Sequence, residues 1–71
     1  MNDIEKYLDN VFTYHPPKDD QPARYVLIRD MAKSLARSIM ENSKPSREQS
    51  LALTKLEECV MWTNAGISRN E

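Results

Sequence analysis

Apolar residues fall along this chain in three blocks, each with the spacing of one helical face. Ile4, Leu8, Val11 and Phe12 share the first face. Asn2 with Glu5 three residues on reads as an N-cap with its reciprocal partner. The pattern predicts a helix over about 3–13, two to three turns that are too short to stand alone. Tyr25, Ile28, Ala32, Leu35 and Ile39 recur at spacings of 3, 4, 3 and 4. They draw a seam along a second helix over about 22–41. Leu53, Leu56, Val60, Thr63 and Ile67 repeat that spacing in a third helix over about 47–69, with Ala52, Cys59 and Gly66 as a small-residue row beside it.

The punctuation agrees. Pro16 and Pro17 remove two backbone donors and push His15 toward extended geometry, which makes 14–21 a stiff loop. Pro22 suits the first turn of a helix, where its missing N–H has no partner to lose. Asn42-Ser43-Lys44-Pro45 breaks the second pattern in a turn over 42–46, and Ser46 with Gln49 is a second capping signature. Two helices each about 30 Å long, joined by so short a turn, predict an antiparallel hairpin. The expected fold is all-α: one domain over 1–71, a short N-terminal helix plus a two-helix hairpin. Met31, Ala36, Met40, Leu51, Trp62 and Ala65 lie off both seams, so the hairpin is expected to oligomerise through its remaining apolar faces.

Composition sharpens that expectation. At 71 residues the chain buries too little surface to be comfortable alone, and its one cysteine, Cys59, excludes an internal disulfide. One His and one Cys cannot close a four-ligand zinc site, so no metal or cofactor is expected. A net charge of -1 supplies no global basic field for duplex nucleic acid. No apolar run approaches the roughly 20 residues of a membrane span, and the N-terminus lacks a signal-peptide core. The expectation is a soluble, intracellular protein with no membrane partner.

No catalytic arrangement emerges. His15 and Cys59 lie on different elements, Cys59 reads as a buried structural cysteine, adjacent Glu57 and Glu58 read as solvated charges, and no glycine-rich phosphate loop exists. Enzyme activity is not expected. What remains is charge beside flat surfaces. Arg29, Lys33 and Arg37 form a stripe four residues apart with Arg24 just before it, while Tyr14, His15, Pro16 and Tyr25 offer faces for a nucleobase beside Lys18. The plainer alternative is a solvated basic face, with Tyr14 packed on the hairpin and His15 serving the turn. Trp62 reads as a core or interface anchor.

Several separated strings resemble the phage anti-CBASS cyclic-oligonucleotide sponge family, whose helical hairpin domain is shared with a Thoeris anti-defence sponge. They are Phe12-Thr13-Tyr14-His15-Pro16-Pro17, then Gln21, Arg24-Tyr25 and Ile28-Arg29, then Ser46-Arg47-Glu48, Ser50 through Glu58, and Met61 through Ala65. The resemblance implies a homohexamer in the cytoplasm of an infected bacterial host, sequestering cyclic dinucleotides and cyclic trinucleotides without chemistry. It implies a dinucleotide site of Tyr14, His15, Pro16, Lys18, Arg24, Tyr25 and Arg29. For trinucleotides it implies Ser46, Arg47, Thr54, Asn64, Ala65 and Arg69. The chain departs from the family's pattern at Lys44, Thr63, Gly66 and Ser68. Two other readings stand beside it: a small helical DNA-binding regulator using Arg47 and Gln49, and a purely structural oligomerisation protein.

Overall fold

The computed structural model describes residues 2–71. Over them the chain is all-α: α1 (Asp3–Phe12), α2 (Gln21–Asn42) and α3 (Arg47–Asn70), with no strand. The helices begin where the capping chemistry puts them. Asn2 Oδ1 accepts from Glu5 N at 2.8 Å and Ser46 Oγ from Gln49 N at 3.0 Å. Each bond satisfies one of the orphan donors of a first turn. The other arm of the second capping pair is used differently. The Gln49 carboxamide donates to the Ser43 carbonyl at 3.2 Å and to its hydroxyl at 3.0 Å. The start of α3 is thereby tied to the end of α2. Ser43 Oγ donates in turn to the Ile39 carbonyl at 2.5 Å, and Asn42 Nδ2 to that of Ser38 at 2.8 Å, so two carbonyls that α2 leaves open are covered.

α2 and α3 lie side by side. Half-buried Tyr25, Ile28, Ala32, Ala36 and Ile39 meet half-buried Leu53, Leu56, Val60, Asn64 and Ile67. Each seam differs from the sequence reading at one place: Ala36 replaces Leu35, and Asn64 replaces Thr63. The cause is angular. At 3.6 residues per turn, positions 35 and 36 straddle the seam by about 50° on either side, as do 63 and 64. The smaller Ala36 takes the inside, and Leu35 turns to a flanking apolar groove that it shares with Met31 and Cys59. Cys59 is exposed there rather than buried, because its neighbours Leu56 and Val60 hold the face toward α2.

This packing buries little. Gln21, 4% exposed, is the only buried residue among those described, and no apolar side chain is buried. The chain measures 51 × 26 × 13 Å; the last figure is the thickness of one helix with its side chains. A layer one helix thick has no interior. Its radius of gyration is 15.8 Å, against about 11 Å for a compact domain of this length. Packing of the α2–α3 kind is absent for α1, whose Phe12 is 79% exposed, and Trp62 on α3 is 69% exposed. Trp62 is thus no core anchor within the chain. Gly66 interrupts nothing: α3 runs through it, and an added Cβ would meet open space.

Candidate functional site

At one end of the layer the loop after α1, the start of α2 and the end of α3 converge. His15 Nε2 lies 2.6 Å from the Asn10 carbonyl. A carbonyl only accepts, so this nitrogen carries the proton and the ring ties the loop to the last turn of α1. Gln21 holds the other side. Its Oε1 accepts from Lys18 N at 3.1 Å, its own N–H donates to the Lys18 carbonyl at 3.0 Å, and its Nε2 donates to the Ile67 carbonyl on α3 at 3.4 Å. The turn so closed passes through Asp19, whose φ of 53° is left-handed, a region that Asp enters more readily than most residues. His15, Pro16 and Lys18 of this loop, with Gln21 at the start of α2, then face Ser68 and Glu71 across a cleft of about 250 Å³.

Arg24 is bound on two sides. Its Nη1 donates to Glu71 Oε2 at 3.2 Å and its Nη2 to Glu71 Oε1, a bidentate pair. Its Nε lies 3.2 Å from Asp20 Oδ1 without the alignment of a hydrogen bond. The Arg24 hydrogen bond is the main cause that holds the Glu71 carboxyl below its ordinary value, helped by the charges of Arg24 and Lys18 and opposed by partial desolvation. The same hydrogen bond raises Arg24 further above its already basic value. Both side chains keep substantial exposure, so the pair is an orienting contact more than a store of stability.

One turn along, Tyr25 and Arg29 of α2 face Asn64, Ala65 and Ser68 of α3 across a second cleft of about 330 Å³. Asn64 Oδ1 is buried with no hydrogen-bond partner, an acceptor that a native structure ordinarily satisfies. Ser68 borders both clefts. The two groups of residues that the resemblance assigned to different ligands therefore mix: Tyr25 and Arg29 share a cleft with Asn64 and Ala65. Tyr14, 79% exposed, lines neither cleft.

The remaining candidates are dispersed. Ser46, Arg47 and Thr54 belong to the opposite end of α3 from Asn64, Ala65 and Arg69; Arg47 and Arg69 bound a stretch of about 33 Å. Within one chain these residues do not meet. Arg69 lies in a shallow cleft with Met61, Trp62 and Ala65. Arg29 and Lys33 edge a groove opposite Glu57 whose walls are otherwise apolar. Sequence reasoning missed Gln21, Ser68 and Glu71 as members of the site. The signal for the last two was present, since Asn64, Ser68 and Glu71 are spaced 4 and 3 apart on one helical stripe. Among the described residues no three His, Cys, Asp or Glu side chains gather as a metal site, and no helix is long and apolar enough to cross a membrane.

Residues 4–68 match the family described as Acb2/Tad1, hairpin domain. No curated protein and no solved structure matches the chain significantly.

Proposed function

The chain belongs to the Acb2/Tad1 hairpin family of anti-CBASS and anti-Thoeris sponges, and on that premise we propose that it sequesters cyclic oligonucleotides unchanged. The observation that carries the reading is the cleft between Tyr25, Arg29 and Asn64. An aromatic ring supplies a stacking face, a guanidinium supplies phosphate recognition, and an unpaired amide oxygen awaits a donor such as the exocyclic amine of a base. The neighbouring cleft, with His15, Pro16 and Lys18, adjoins it through Ser68. Two bases joined by two phosphates have the shape to span both. Tyr14, open to solvent beside that loop, completes the dinucleotide site as a second stacking face. Arg24 joins it by exchanging Glu71 for phosphate.

The trinucleotide site, in this reading, is composite. Ser46, Arg47 and Thr54 of one subunit face Asn64, Ala65 and Arg69 of another. The oligomer, a homohexamer by family likeness, acts in the cytoplasm of an infected bacterial host. Catalysis has no support in the arrangement. Cleaving a cyclic phosphodiester in line needs a metal pair or a placed acid and base, and His15 spends Nε2 on the Asn10 carbonyl. A DNA-reading role for α3 loses Gln49, whose carboxamide is held in the turn by Ser43.

A thermal-shift screen across cyclic di- and trinucleotides tests the proposal. Ligand at 100 times its Kd stabilises by about 2.7 kcal/mol. Prolonged incubation with a binder, denaturation and chromatography should return intact ligand in full. Absence of any shift, or recovery of linear product, defeats the sponge reading.

A further inference from the structure

Gln21 is 4% exposed, and its carboxamide touches two separate elements of the chain. Its oxygen accepts from Lys18 N in the loop and its nitrogen donates to the Ile67 carbonyl in α3. With no buried apolar side chain among the described residues, this amide is the polar clasp that holds the Pro16–Lys18 loop against the end of α3. Resting on the sponge reading above, we infer that Gln21 is the positioning residue of the ligand site: it sets the width of the cleft between His15, Lys18 and Ser68, and with it the affinity for a cyclic dinucleotide. No other side chain bonds the loop to α3 among the described residues. Both arms are used at once, because the amide presents a donor and an acceptor on one planar group at every pH.

Glutamate in its place keeps the acceptor for Lys18 N and loses the donor to Ile67 while ionised. Protonated, it regains an O–H for that carbonyl. The cleft around it holds His15 and Lys18 from the loop and Glu71 just after α3, with Asp20 at the cap of α2 and Arg24 in its first turn nearby. All of these are equally present in the unmodified protein, so the quantity to read is the affinity ratio of variant to wild type at each pH. Burial at this position disfavours the ionised carboxyl and works against Lys18 and Arg24, whose charges favour it.

The experiment is calorimetry of the full chain in its native oligomer with cyclic di-AMP, cyclic di-GMP and cyclic GMP-AMP. Gln21→Ala and Gln21→Glu should each bind the best of these about tenfold more weakly at neutral pH. The Gln21→Glu deficit should shrink as pH falls from about 7.5 to about 5. A merely structural role would not produce that recovery. Where Gln21→Ala fails to fold, the Gln21→Glu profile alone decides. Equal affinities, or a deficit that is flat with pH, overturn the clasp while leaving the sponge reading intact. Failure of the wild type to bind any of the three removes the dinucleotide reading on which the clasp rests.

Discussion

Arg24 and Arg29 sit little more than one helical turn apart and have opposite circumstances. Arg24 is engaged by Glu71 and Asp20, whereas Arg29 opens onto a cleft and pairs with no carboxylate among the described residues. Arg29 is therefore the better phosphate ligand in the free protein. Arg29→Ala and Tyr14→Ala should each weaken cyclic-dinucleotide binding about 5- to 150-fold by calorimetry, with oligomer mass unchanged. The Glu71 pair answers to pH instead. A carboxyl whose folded value lies below its unfolded one contributes stability that is complete above the unfolded value and is lost as pH falls through the folded one. Melting curves should show wild type ahead of Glu71→Gln above about pH 5, with the gap closing below about pH 4. A gap that widens with acid would contradict the assignment.

At the scale of elements, Ser46 has two claims on it. Its hydroxyl caps α3 through the Gln49 N–H, and the trinucleotide site proposed above includes it. Ser46→Ala should cost about 1 kcal/mol of stability in chemical denaturation whether or not ligand is present. Ser46→Asp separates the roles, because aspartate caps as well as serine but brings negative charge toward a phosphate. Its expected signature is unchanged stability with weakened cyclic-trinucleotide binding. α1 makes the complementary point. Its apolar residues keep a clean helical face, but ten residues cannot bury it against α2 and α3, which they scarcely touch.

The whole molecule is a layer one helix thick, and a layer has no inside. Ile4, Phe12, Met31, Leu35, Met61 and Trp62 are all exposed, large apolar side chains of the kind that interfaces cover. Copies of the same chain are the proposed cover. Light scattering coupled to size exclusion at micromolar protein should give a mass several times 8.3 kDa. A monodisperse species at that single-chain mass would sink the proposal.

Helix identity, caps and breaks were legible in the sequence because they are local: Asn2, Ser46 and Pro22 act within one turn, and the apolar spacing needs only 3.6 residues per turn. The strings around Tyr14-His15-Pro16 and Arg24-Tyr25 likewise pointed to the family without any coordinates. Which of Leu35 and Ala36, or Thr63 and Asn64, lies inside was not legible, since each pair straddles its seam and side-chain size at the contact decides. The exposure of Cys59 followed from that same rotation. Ser68 and Glu71 share a helical stripe with Asn64 that spacing alone could have shown, but Gln21 entered the site only when the two helix ends came together, because a bond across 46 residues, such as that of Gln21 to Ile67, leaves no trace in local spacing. Local periodicity determined the elements of this protein; the angle at which two helices face each other decided what lies between them.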